Sequence, residues 1–104
     1  MNIKNKTIVI TGAGNGIGRA WALKFHQEQA HVVAADIDIK SLASLSDIGI
    51  STKNVDVRDS TQVTELITGT QSKTGRVDVL FNNAGIAFGP KLENARQGKF
   101  EDHI

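Results

Sequence analysis

Cysteine is absent from this sequence, which excludes disulfides and thiolate metal sites and makes a cytoplasmic setting the expectation. Excess charge is nearly absent as well. The formal net charge at pH 7 is +1, too little to mark a nucleic acid or an anionic membrane as a partner. No apolar run approaches the length needed to cross a bilayer. The polar start, Met1 to Lys6, is followed by an apolar run of only Ile8 to Ile10, which does not resemble a signal peptide. His26, His31 and His103 have no metal-like spacing, so no metal ligand is expected among them. What remains, 39% hydrophobic and 22% charged residues, is ordinary material for a soluble globular fold. A length of 104 residues bounds it to one domain at most, residues 1–104.

What is present is organised around one stretch, Thr11-Gly12-Ala13-Gly14-Asn15-Gly16-Ile17-Gly18. The apolar run Thr7 to Ile10 leads into it, and an alternation of apolar and polar residues beginning at Ile17 leads out. The spacing therefore predicts a buried strand, a tight glycine turn and a helix. The first amides of a helix have no intrahelical partner, and with the helix dipole they favour negative charge, so a phosphate or pyrophosphate is the natural occupant. Glycine is needed because a Cβ here would block the turn or hold a ligand off the backbone. Gly14 alone reads as simple turn flexibility.

The rest of the chain alternates strand and helix. The first helix is predicted from Ile17 to Gln29, with Ile17, Ala20, Trp21 and Phe25 on one face and Trp21 and Phe25 as core contacts. His31 to Ala35 is a second strand ending at Asp36, and a weaker helix covers Ile39 to Leu45. Thr52 to Val57 is a third strand. Asp59 or Ser60 caps a third helix that buries Val63, Leu66 and Ile67 and is stopped by Gly75. Val77 to Phe81 is a fourth strand, apolar except for Asp78. After Gly89-Pro90 the pattern is faint, although Phe100 and Ile104 keep helical spacing. Such alternation implies right-handed βαβ crossovers, a parallel sheet and an α/β fold.

Several anion-binding turns compete for the glycine stretch. A P-loop needs Lys followed by Ser or Thr after the last glycine, and Ile17 or Arg19 stands there instead. The G-x-G-x-x-G fingerprint fails at Ile17. Gly12-Ala13-Gly14-Asn15-Gly16 could pass for the turn of an S-adenosylmethionine-dependent methyltransferase, but the acidic residue wanted before the first glycine is missing from Ile10-Thr11. The pattern that fits is T-G-x-x-x-G-x-G.

That pattern is followed by Asp36 after the second strand, Asp56-Val57 closing the third, and Asn82-Asn83-Ala84-Gly85 closing the fourth. Together they resemble the short-chain dehydrogenase/reductase family, over about Lys4 to Leu92. The resemblance implies a Rossmann-like doubly wound parallel sheet, truncated to about four strands in the order 3-2-1-4, and NAD as the cofactor. On that likeness Gly12, Gly16 and the amides near Asn15 and Ile17 face the pyrophosphate, while Gly18 lets the helix pack closely on the strand. Asp36 accepts both adenosine ribose hydroxyls. Its charge repels a 2′-phosphate, and neither Asn15 nor Ile37 offers a compensating cation, so NAD is favoured over NADP. The Asp56 side chain and the Val57 backbone sit beside the adenine. The small residues of Asn83-Ala84-Gly85 let the fourth strand approach the cofactor, with Asn83 lining the ribose.

Two departures from the family pattern matter. Gln29 stands where a glycine usually ends the first helix, at a cost in stability if that position is left-handed. The family's active site uses a Ser, and a Tyr followed four residues later by a Lys, in the second half of the fold. This chain has no tyrosine, and no serine follows its fourth strand, so no catalytic residue is assigned. The expectation is the dinucleotide-binding half of a longer oxidoreductase, which in its intact form moves a hydride between an alcohol and a carbonyl. The alternatives are a non-catalytic nucleotide-binding or interaction module and a methyltransferase fragment. The fourth strand is expected to be a bare apolar edge open to self-association.

Overall fold

Strand β1 (Thr7–Thr11) is buried along its whole length, because it is central and both of its faces are covered. The computed structural model describes residues 2–83. Within them β1 is flanked by β2 (His31–Asp36) and β4 (Val79–Asn82), and β3 (Ser51–Asn54) lies beyond β2. All pairings are parallel and the order is β3-β2-β1-β4, as the sequence resemblance implies. Val9 pairs with Val33 on one side and with Leu80 on the other. The helical spacing of Phe100 and Ile104 lies outside the described residues.

Side chains of successive strand residues point to opposite faces, so a strand covered on both sides reads as a continuous apolar run. Ile8, Ile10, Val32 and Ala34 join Ala22 and Phe25 of α1 (Gly16–Gln27) in one core. Leu42 from the 3₁₀ turn Ile39–Leu42 and Leu45 from α2 (Ala43–Asp47) complete it. Val9, Val33 and Ala35 face the other way, onto Val63, Leu66 and Ile67 of α3 (Ser60–Thr74). The crossovers through α1 and α2 run outward from β1, whereas α3 returns from β3 to β4. Right-handed crossovers in opposite directions put their helices on opposite faces. The order thus reverses between β1 and β4, the switch point beyond whose carboxyl ends open α/β sheets bind their ligands.

The buried face of α1 differs from the one expected. Gly18, Ala22 and Phe25 face the sheet, while Ile17 is 61% and Trp21 39% exposed. Phe25 is buried as expected, but Ala20 is exposed, and over the first turns small residues lie inward because the helix starts almost in contact with the strand turn. Trp21 sits on the rim, stacked on Phe25 at 5.2 Å and on Phe81 at 5.7 Å. Beyond the helix, Gln29 has φ 68, the left-handed conformation anticipated at that position, which costs a non-glycine residue about 1 kcal/mol. The turn is kept by bonds from the Ala30 amide to the Phe25 carbonyl and from the Asn5 amide to the Gln29 carbonyl.

Strand β3 ends at Asn54, three residues earlier than expected. The chain leaves the ladder because Asp56 starts a turn of its own: its side chain accepts the Arg58 amide, and its amide donates to the Gln62 side chain. Asp59 then caps α3 by accepting from the amides of Thr61 and Gln62, and Gly75 ends the helix at φ 90. No helix of the described residues is long and apolar enough to cross a membrane.

Asp78, the polar exception beside β4, fastens two strand ends. Its Oδ2 accepts the Thr7 amide at 2.8 Å and the Arg76 guanidinium at 3.0 Å. The Thr7 amide first, and Arg76 after it, hold the carboxyl below its ordinary value of 3.8. A carboxyl whose folded pKa is depressed contributes stability that is complete above its unfolded pKa and is lost as pH falls through the folded one. Wild type is therefore expected to lose stability relative to Asp78→Asn as pH drops below about 4. Denaturant unfolding from neutral pH down to about pH 2.5 reads the difference, and a gap that stays constant with pH overturns it.

Candidate functional site

The turn after β1 needs two left-handed residues, Gly12 at φ 64 and Gly16 at φ 56. Between them the chain is tied sideways to β2: the Ala13 amide donates to the Ala35 carbonyl at 3.0 Å, and the Gly14 amide donates to Asp36 Oδ2 at 2.9 Å. Helix α1 then starts after Asn15, whose side chain makes no cap bond, and no acidic residue lies in its first turn. Asn15, Gly16 and Ile17 are exposed. The positive end of the helix is thus accessible, without a side-chain cap and with no acidic residue in its own first turn, which suits a phosphate.

Gly18 sits where the turn and both neighbouring strands converge. A Cβ on it would overlap the Gly12 carbonyl oxygen and stand 2.8 Å from Asn83 Nδ2. Asn83 Nδ2 donates to that same Gly12 carbonyl at 3.3 Å, so the residue expected beside a ribose also ties β4 to the glycine turn. Asn82 is buried and accepts the Thr11 hydroxyl at 2.6 Å. This Thr11–Asn82 bond between the ends of β1 and β4 was not singled out in the sequence, although both residues fall inside its motifs.

Asp36 is half-buried at the tip of β2 and turned toward the glycine loop. Oδ2 takes the Gly14 amide, and Oδ1 takes the Asp38 amide at 2.9 Å. A carboxylate has about four acceptor sites, so each oxygen keeps room for a further donor. The orientation is fixed by backbone before any ligand arrives.

Asp56 has a partner that the sequence reading missed. Its Oδ1 accepts the backbone amide and the Nε of Arg58, both at 3.0 Å, and its Oδ2 accepts the Arg58 guanidinium at 2.9 Å. The Arg58 side-chain bonds, then its backbone amide, hold the Asp56 carboxyl below the usual carboxylate range. An acceptor site remains on Oδ2. The signal was the run Asp56-Val57-Arg58-Asp59, in which a turn acid is followed directly by a helix cap. Val57 is half-buried against the α3 core. Ala84 and Gly85 lie outside the described residues.

Gly14 is not there for flexibility. Its φ lies outside the left-handed region, and a Cβ would overlap the Ser41 hydroxyl and stand 2.6 Å from the Ser41 Cβ. A cavity of about 490 Å³ lies elsewhere, lined among others by Val33, Lys53, Val55, Leu66 and Thr70 and by no residue of the glycine turn. Among the described residues no cluster of side chains could hold a metal ion.

A glycine turn at the switch point of a parallel sheet, with a carboxylate at the next strand's tip, defines a nucleotide-binding domain of the doubly wound α/β class. The family model for short chain dehydrogenases matches residues 6–104, and the chain belongs to the short-chain dehydrogenase/reductase family. Over 91 residues it is 44% identical to the meso-2,3-butanediol dehydrogenase of Serratia marcescens, covering 83% of this chain and 36% of that enzyme. A 3-ketoacyl-(acyl-carrier-protein) reductase from Brucella melitensis, crystallised with NADH, superposes with a TM-score of 0.70 at 31% identity, covering 75% of this chain and 33% of the other. A short chain dehydrogenase/reductase from Burkholderia phymatum in complex with NAD gives 0.68 at 35% identity, with 77% and 31% covered. The chain thus spans about a third of the length of these relatives.

Proposed function

We propose that this chain is the dinucleotide-binding part of an NAD-dependent oxidoreductase. The amides near Asn15 and Ile17, with Gly12 and Gly16, face the diphosphate, Asp36 takes the adenosine ribose, and Asp56 and Val57 border the adenine. The observation that carries the reading is the Asp36 carboxylate, held by the Gly14 amide at 2.9 Å beside the opening of α1. A diphosphate site and a sugar acceptor are thereby a few ångströms apart and linked by a hydrogen bond. NAD and NADH in the crystals of two similar proteins support the same cofactor class. Repulsion between Asp36 and a 2′-phosphate favours NAD over NADP.

When bound, the nicotinamide supplies the hydride donor or acceptor for an alcohol–carbonyl interconversion. The residues of this chain bind and orient it. They supply no tyrosine for the proton, so that step belongs to the intact enzyme, together with the substrate pocket. Calorimetric titration of the chain with NAD, NADP and S-adenosylmethionine tests the reading. NAD is expected to bind at least about tenfold more tightly than NADP, a difference of ~1.4 kcal/mol. Preferential binding of S-adenosylmethionine, or equal affinity for the two nicotinamide cofactors, overturns it.

A further inference from the structure

The carboxylate that reads the ribose is itself set by two residues that carry no charge. Gly14 donates its amide to Asp36 Oδ2 at 2.9 Å. Ser41 packs onto Gly14 so closely that a Cβ there would overlap its hydroxyl and lie 2.6 Å from its Cβ. The Ser41 hydroxyl is anchored in turn, donating to the Asp38 carbonyl at 2.6 Å, and the Asp38 amide donates to Asp36 Oδ1 at 2.9 Å. The chain of contacts closes on itself: Gly14, Asp36, Asp38, Ser41 and back to Gly14. It joins the glycine turn to the 3₁₀ turn after β2, two segments with no sequence neighbourhood.

We infer that Gly14 and Ser41 form a packing latch that positions the Asp36 carboxylate, and that cofactor choice at the ribose depends on Gly14 lacking a side chain. The inference rests on the dinucleotide reading above and adds the residues that enforce it. Gly14 is not left-handed, so its backbone accepts alanine; the main obstacle is Ser41, and Asp36 Oδ2 itself, 3.0 Å from the added Cβ, is a lesser one. Rotating the Ser41 hydroxyl does not remove the main obstacle, because the Ser41 Cβ is also too close. An added methyl group must push the 3₁₀ turn outward, and that turn carries the Asp38 amide that holds Asp36. The second amide is then lost from the carboxylate, or the carboxylate is drawn away from the switch point.

The test pairs Gly14→Ala with the rescuing double variant Gly14→Ala/Ser41→Gly, titrated with NAD and with NADP. Gly14→Ala is expected to lose about tenfold in NAD affinity and less in NADP affinity, so that the preference narrows. Ser41→Gly should restore most of the NAD affinity and preference in the double variant, the remainder reflecting the 3.0 Å approach of the new Cβ to Asp36 Oδ2. A Gly14→Ala protein that keeps the wild-type NAD:NADP ratio, or a double variant that is not rescued, overturns the latch. A wild-type chain that binds neither cofactor overturns the dinucleotide reading instead. The latch then still stands or falls on a measurement without cofactor: amide hydrogen exchange at Gly14 should be protected in wild type and accelerate in Asp36→Ala, and an unprotected Gly14 amide overturns it.

Discussion

Gly18→Ala is expected to lower the unfolding temperature by about 10 °C and to abolish dinucleotide binding, although it adds a single methyl group. The new Cβ would overlap the Gly12 carbonyl oxygen, a backbone atom that cannot rotate aside. Gly12 is itself held in a left-handed turn at φ 64, and its carbonyl is engaged by Asn83 at 3.3 Å. Relief therefore requires α1 to move away from β1 and carry its opening amides with it. Overpacking of this kind costs ~1–3 kcal/mol, and each kcal/mol moves the midpoint of a domain this size by roughly 4–8 °C. Gly69→Ala is the matched control. It places the same methyl group in the middle of α3, where nothing lies within 4 Å of the new Cβ, and should stabilise by up to ~1 kcal/mol through helix propensity. Thermal unfolding followed by circular dichroism separates them; a Gly18→Ala midpoint at or above wild type means the helix–strand contact is not tight.

The same contact explains what the sequence made legible and what it hid. The parallel pairing followed from strand–helix alternation, because crossover handedness leaves few alternatives, whereas the sheet order came from the family resemblance. The glycine turn was legible because positive φ and close approach leave a mark in residue type, and Gly12, Gly16 and Gly18 carry it. The inward face of α1 was misread because periodicity ranks residues by hydrophobicity. Here distance ranked them by size, turning Gly18 and Ala22 toward the strand and leaving Ile17 and Trp21 outside. The early end of β3 and the Asp56–Arg58 pair were hidden for another reason. A turn acid can accept from a backbone amide, a side chain or a ligand, and the residue type is the same in each case. Gly14 was read as a flexible residue when it is a small one, since the atom that demands its smallness, Ser41 Cβ, is distant in sequence.

Asp36→Ala should have the largest effect on cofactor affinity of any change that leaves the sheet intact. The carboxylate has two duties, receiving the amides of Gly14 and Asp38 at 2.9 Å each and, on the proposed reading, two ribose hydroxyls. Hydrogen bonds to a charged group are worth ~1.5–3 kcal/mol apiece, so removing the ribose pair predicts a loss of about a hundredfold in NAD affinity. NADP should lose far less, because the repulsion against its 2′-phosphate disappears with the charge. The NAD:NADP ratio therefore falls mainly from the NAD side. Asp36→Asn separates the two duties. It keeps one acceptor oxygen and the shape of the side chain but not the charge, so it should lie between wild type and Asp36→Ala for NAD while relaxing the discrimination against NADP almost as far as Asp36→Ala does. Thermal unfolding controls for the loss of the Gly14 partner, which both variants share in part. If Asp36→Ala binds NAD as wild type does, the residue has no contact with the ribose and serves only to hold the glycine turn.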